Sequence, residues 1–210
     1  VADNPALRLT PLAATVRSVS VRACRVEDIA QAAQTLTEAF DRDPFVQWLF
    51  PDVQMRRDSI SARFTSLLAS PPSGSVVEVT DDLHGVAIWL KPGRPLDIDP
   101  PPGANAAVQD MFARIAARAP VGSFWYLHFI GALQAGTGAG SALLRHRHAE
   151  IGSAASALWT GAERNLEFYR KNGYRVTSRH SADGATAWWL LRQAVHAARL
   201  SRAHCAGVRP

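Results

Sequence analysis

Three glycines spaced by single residues, Gly136, Gly138 and Gly140, follow a run of aromatic and branched residues and precede a helical pattern that opens at Ser141, Ala142, Leu143 and Leu144. Strand, glycine turn and helix start is the geometry that presents unpaired backbone N–H groups to an anion. Glycines let the backbone approach such a ligand with no Cβ in between. The turn is not the dinucleotide fingerprint, because Ser141 stands where a pattern begun at Gly136 needs a glycine, and it is not a Walker A loop, because no lysine follows Gly140. A tight turn with no ligand is the other reading of the same residues.

Two further groups carry chemistry. His128 lies in the run before the turn, and alternation puts it on the same face as Tyr126. With an unperturbed pKa of about 6.5 it suits a general base near neutral pH, while a buried histidine bonded to a backbone carbonyl explains it equally. Asp41, Asp43 and Glu163 are weaker candidates. The segment from Phe40 to Pro51 places Asp43 as an N-cap before Pro44, with Phe45, Trp48 and Leu49 on one helix face. It reads as a short capped helix on the core and also as a wall for a cationic, partly apolar ligand.

The rest of the chain must position these residues. Its 210 residues are 47% hydrophobic and 20% charged, which fits one globular domain with tails. No apolar run approaches the ~20 residues of a membrane helix, and no signal peptide is visible. Cys24 and Cys205 make no disulfide framework, so a cytoplasmic setting is the expectation. The net charge of +5 suits a polyanion, either a phosphate-bearing cofactor or nucleic acid, and no nucleic-acid motif is present.

Residues 1–18 read as an extension and 193–210 as a tail or surface helix, with one domain over 19–192. Within it the pattern predicts a strand ending at Ala23, and a helix burying Val26, Ile29, Ala33, Leu36 and Phe40. The short helix after Asp43 and a helix from Gln54 to Ser70 follow. Strands over Val76–Thr80 and Gly85–Leu90 come next, then a proline-rich stretch over 92–103 and a helix around Met111. The central strand covers Phe124–Ala132 and reads as buried on both faces. After the glycine turn and its helix come a strand over Ala157–Thr160, a helix over Asn165–Lys171 closed by Gly173, and a strand pair over Tyr174–Ser178 and Thr186–Leu191. Arg145, His146, Arg147 and His148 read as cations completing the last turns of the loop helix.

This order, with Gly136 to Gly140 leading into Ser141 and with Asn165, Tyr169, Gly173 and Tyr174 spaced as they are, resembles the GCN5-related N-acetyltransferase (GNAT) family. The segment from Phe40 to Pro51 and the Trp125, Tyr126, Leu127 run are similar to the branch that includes puromycin N-acetyltransferase. The resemblance implies a single α/β (α+β) domain whose central sheet is mixed, mostly antiparallel, and flanked by helices. It also implies acetyl-CoA (an acyl-CoA) as cofactor. The acyl-CoA would be held by Ala132, Leu133, Gly136, Thr137, Gly138, Ala139, Gly140 and Ser141, with Asn165 either on its pantetheine arm or merely capping a helix. Tyr169 would act as general acid beside the departing sulfur, and His128 as base. Phe40, Asp43, Phe45, Trp48 and Tyr126 would line the acceptor side.

The sequence departs from the family at Ala135, where Gln or Arg is usual, and at Trp159, where the puromycin-type enzymes often have a carboxylate. The implied function is acetyl transfer to a primary amine of a small molecule by direct attack. A protein lysine or N-terminal acetyltransferase and a non-catalytic acyl-CoA-binding module are the alternatives. Neither cysteine has an evident His partner, so no covalent enzyme intermediate is expected. Neither a metal site nor a membrane partner is expected, nucleic acid is an improbable partner, and the chain would act as a monomer or homodimer.

Overall fold

Alternating short strands and amphipathic helices assemble into one seven-stranded sheet with helices on both faces. The computed structural model describes residues 19–193, so the extension and the tail beyond Gln193, with Cys205, lie outside the described residues. In chain order the elements are β1 (Val21–Ala23), α1 (Ile29–Asp41), α2 (Pro44–Leu49), α3 (Val53–Ala69), β2 (Ser75–Thr80), β3 (Gly85–Leu90), α4 (Ala106–Ala117), β4 (Trp125–Ala132), α5 (Ala139–Ile151), β5 (Ser156–Thr160), α6 (Leu166–Lys171), β6 (Arg175–Ala182) and β7 (Ala185–Arg192). The strands lie in the order β1-β2-β3-β4-β5-β7-β6. Every neighbouring pair is antiparallel except β4–β5, which α5 joins by the crossover that a parallel pair requires. The sheet is therefore mixed and mostly antiparallel, as the resemblance implies.

α1 and α3 bury Leu36, Ile60 and Phe64 against Val79, Val86 and Ile88 on one face of the sheet. α5 and α6 bury Leu143, Leu144 and Tyr169 against Leu127 and Leu158 on the other. Two irregularities in β4 shape everything that follows. First, β4 and β5 pair only at Trp125↔Ser156 and Tyr126↔Ala157, after which the strands part. Second, the β3–β4 register passes from Trp89↔Leu127 to Ile88↔Phe129, so His128 is the extra residue of a bulge. The bulge breaks the alternation. His128 still stacks on Tyr126, as expected, with ring centroids 5.7 Å apart. Phe129 now joins that same face and meets Phe40 and Phe64 at 5.5 and 5.1 Å.

Several expectations need correction. Val26 is 85% exposed, because Val26–Asp28 form a single 3-10 turn before α1. β6 runs on to Ala182 because Asp183 and Gly184, at φ +46° and +83°, form the two-residue turn that twisted hairpins favour. β4 is not buried on both faces throughout, since residues 128–130 border the gap beside β5. The cations of α5 are not mere helix-end charges. Arg147 is buried, donates from Nε to Glu78 Oε2 at 3.3 Å and lies 5.2 Å over the Trp125 ring, while His148 Nε2 is 3.0 Å from the Tyr174 hydroxyl. Burial pushes the Glu78 carboxyl up, against the pull of the Arg147 charge.

Candidate active site

Where β4 and β5 part, a cleft of about 1220 Å³ opens through the sheet. One end is bordered by residues 135–141 with Asn165, Phe168 and Tyr169; the other by Phe45, Asp97, Phe112, Tyr126, His128 and Trp159. Phe40, Asp43, Ala132 and Leu133 also reach the cleft. Trp48 does not line it. The indole donates to the Asp183 carbonyl at 2.9 Å and so ties α2 to the β6–β7 turn, which corrects its expected place on the acceptor wall.

The glycine turn begins α5. Gly136 and Gly138 sit at φ +82° and +86°, where an L side chain is strained, and nothing lies within 4 Å of a Cβ built on either. Gly140 serves a different purpose, because a Cβ there would meet the Phe168 ring at 3.1 Å. Among the described residues no hydrogen bond uses the amides of residues 135–141; the first to be used inside the helix is that of Ala142, which donates to the Gly138 carbonyl at 2.9 Å. A row of free donors at the positive end of a thirteen-residue helix is a geometry that suits an anion.

The edge of β4 adds a second set of backbone groups. Leu133 donates to the His84 carbonyl at 2.9 Å, so this amide is committed to the sheet. By the alternation of an antiparallel ladder, the N–H and C=O of Phe129, Gly131 and Leu133 point toward β3, and those of Ile130 and Ala132 point into the gap left by β5. A ligand with amide groups of its own can pair with them as a strand would.

α6 brings Asn165 and Tyr169 to the same end. Asn165 precedes α6 in a helical conformation and makes no side-chain cap bond, so the capping alternative fails; the residue borders the cleft. Tyr169 is 5% exposed. Burial first, then the neighbouring Tyr174 and Asp43, raises its phenol well above the usual range, so it stays protonated across neutral pH.

His128 is held differently from a free base. Its Nε2 lies 3.6 Å from Asp97 Oδ2, and its Nδ1 is buried with no partner. Burial pulls its pKa down to about 4, opposed by Asp97 and aided by Arg63. Burial, with Arg192, pulls His148 to about 4 as well. Both folded values lie below the unfolded value of about 6.5, so the unfolded chain binds more protons between these limits. Stability should be full above pH 6.5 and should fall as pH drops toward 4. Urea unfolding midpoints at pH 7, 5.5 and 4.5 check this, and a flat series would contradict it.

The aromatic end of the cleft depends on a close approach. Asp43 Oδ1 accepts from the Phe45 and Val46 amides at 2.9 and 3.2 Å, capping α2, while burial raises its pKa. Phe45 is driven against Gly161 at the end of β5, where an added Cβ would lie 2.3 Å from that of Phe45. Gly161→Ala must therefore push α2 off the cleft, at a cost of about 1–3 kcal/mol or more. A thermal melt, with Phe45 ring contacts followed by NMR, reads both effects. Asp97 and the Gly161 contact were not evident in the sequence: the first sits in an irregular proline-rich stretch, the second joins residues far apart in the chain. The non-glycine φ of +39° at Asp97 is visible only in the structure.

No protein-family model matches the chain, and a search of curated proteins finds no match. Solved structures are similar. A Corynebacterium glutamicum protein described as histone acetyltransferase HPA2 and related acetyltransferase superposes with a TM-score of 0.67 at 23% identity, over 85% of this chain and 97% of that one. An agmatine N-acetyltransferase gives 0.56 at 13%, over 82% and 98%. The PaiA N-acetyltransferase of Thermoplasma acidophilum, solved with coenzyme A, gives 0.53 at 12%, over 84% and 99%. The chain has the fold of the GNAT N-acetyltransferases.

Proposed function

We propose that the chain is an acyl-CoA-dependent N-acetyltransferase acting on a primary amine of a small molecule. The observation that carries this reading is the run of free amides over 135–141 at the end of a cleft that also holds the Tyr169 phenol. The fold supports it, as do a coenzyme A complex and an agmatine acetyltransferase among its structural neighbours. The residues fit the cofactor: Gly136 and Gly138 leave open the space that side chains would fill, and the β4 edge offers paired backbone groups to an amide-bearing arm. When bound there, acetyl-CoA would supply an acyl group activated as a thioester.

The protein's own groups do the rest. The amides of 135–141 bind the diphosphate, the Ile130 and Ala132 backbone aligns the arm, and Asn165 anchors it from across the gap. Tyr169 Oη holds its proton and offers it as a hydrogen bond to a departing thiolate; full transfer to a thiolate of pKa ~8.5 would be uphill from so weak an acid. An amine of pKa near 10 must lose a proton before it attacks. His128, neutral above about pH 4, is the nearby group that can take it.

The acceptor end is lined by the aromatic rings of Phe45, Phe112, Tyr126 and Trp159 and by Pro100, Pro101 and Pro102, a setting that suits a small, partly apolar amine. Thiol release from acetyl-CoA against a panel of small amines and lysine peptides tests the proposal. Release with small amines is the expected result. Tight cofactor binding without release from any acceptor would instead mark a binding module.

A further inference from the structure

We propose that Asp43 pairs with the acceptor in its cationic form, and that the acceptor is a primary monoamine with an aromatic or otherwise apolar body; the inference rests on the acetyltransferase reading. Four carboxylates border the cleft: Glu38, Asp43, Asp97 and Asp99. Glu38 and Asp99 are exposed, and Glu38 Oε1 accepts from Gln34 Nε2 at 2.9 Å. Asp97 is paired with Arg63 Nη2 at 2.7 Å. Asp43 differs from all three. It is partly buried and forms no ion pair among the described residues.

Capping α2 occupies only one of its oxygens. Oδ1 accepts from the Phe45 and Val46 amides, and Oδ2 makes no hydrogen bond among the described residues. Oδ2 is not sealed in either, since the buried side-chain polar atoms without a partner there are Ser75 Oγ, Trp89 Nε1 and His128 Nδ1. It therefore keeps surface on the cleft that Asp43 lines. Arg164 acts on Asp43 through its charge alone, with its guanidinium spent on the Arg42 carbonyl at 2.7 Å. A part-desolvated carboxylate without a partner is costly, and a cation beside it offsets that cost. The charge of Asp43 is felt at the Tyr169 phenol, which places the carboxylate near the acyl-transfer end. The Phe45 ring, two residues on, meets Trp159 and Phe112 with centroids 5.1 and 5.9 Å away. One short stretch of chain thus offers the ammonium an anion and the rest of the molecule a wall of rings, whose faces also attract a cation.

The test uses the whole protein, with and without saturating coenzyme A, and two probes of one shape: 2-phenylethylamine, a cation at neutral pH, and the neutral 2-phenylethanol. Calorimetric titration of the wild type is expected to show the amine binding at least tenfold more tightly than the alcohol. Asp43→Asn keeps an oxygen that caps a helix as well as aspartate does, so the melting temperature should hold while the charge is lost. This variant should bind the two probes within twofold of each other. In turnover its KM for 2-phenylethylamine should rise tenfold or more, with KM for acetyl-CoA within twofold, which is the pattern of lost ground-state binding. For the wild type, 1,4-diaminobutane should be the poorer acceptor by tenfold or more in kcat/KM.

Equal binding of amine and alcohol by the wild type, unchanged amine binding in Asp43→Asn, or a preference for 1,4-diaminobutane overturns the proposal. So does failure of the wild type to bind the amine under either condition. Should Asp43→Asn fail to fold, Asp43→Ser, which also caps, takes its place. Charge-dependent amine binding beside an absence of thiol release from acetyl-CoA would strike at the acetyltransferase reading instead, leaving the amine site at Asp43 intact.

Discussion

Tyr169→Phe lowers kcat for acetyl transfer about 10²-fold while the Kd for acetyl-CoA stays within twofold. The substitution removes one oxygen and nothing else. The ring remains packed between Phe168 and Tyr174, whose centroids lie 5.0 and 6.0 Å away, and no protein hydrogen bond contributes to the phenol's shifted pKa. Thermal stability should therefore hold, since no protein hydrogen bond of the hydroxyl is lost. Loss of a single donor aimed at developing negative charge costs about 10²–10³ in rate. Single-turnover kinetics with saturating cofactor isolate the step. An unchanged rate would remove Tyr169 from the chemistry, and a matching rise in cofactor Kd would make it a binding residue.

Glu78→Ala destabilises the fold by about 3–5 kcal/mol, the range seen when one partner of a buried ion pair is removed. Glu78 is 1% exposed on β2 and faces Arg147 of α5, with His146 Nε2 at 3.3 Å. Removing the carboxylate leaves the Arg147 guanidinium buried, 5.2 Å over the Trp125 ring and, among the described residues, without a hydrogen-bond acceptor. For a chain of this size that corresponds to roughly 6–20 °C in Tm. α5 also carries the free amide donors at its other end, so weaker acetyl-CoA binding should accompany the loss. Calorimetry of Glu78→Ala and Glu78→Gln reads it. A change in Tm below about 2 °C for Glu78→Ala would mean that Arg147 finds water or another partner.

Much of this architecture was legible in the sequence because local signals agreed with one another. Asp43 before Pro44 predicted the cap of α2, and the structure shows both amide bonds to that carboxylate. The glycine spacing predicted a helix start with free donors at 136–140. What failed to show were features set by partners distant in sequence. Arg147 looked like a helix-end cation because nothing near it in the chain announces Glu78, which lies on β2 on the far side of the central strand's segment. The bulge at His128 is invisible because an aromatic run reads the same whether or not β3 skips a residue. Trp48 shared a helix face with Phe45, yet the indole N–H found the Asp183 carbonyl instead of the cleft. Asn165 looked like a cap because its type favours that role, but the 3-10 turn of Glu163–Asn165 satisfies the backbone there without its side chain.

The parting of β4 from β5 has a consequence for isotope labelling. Along four consecutive residues from Ile130 to Leu133, solvent deuterium should reach every second amide. Ile130 and Ala132 should exchange early, whereas Gly131 and Leu133, locked to β3, should exchange only when the sheet itself opens. One strand would thus carry two clocks, and any molecule that fills the gap would slow the faster of them.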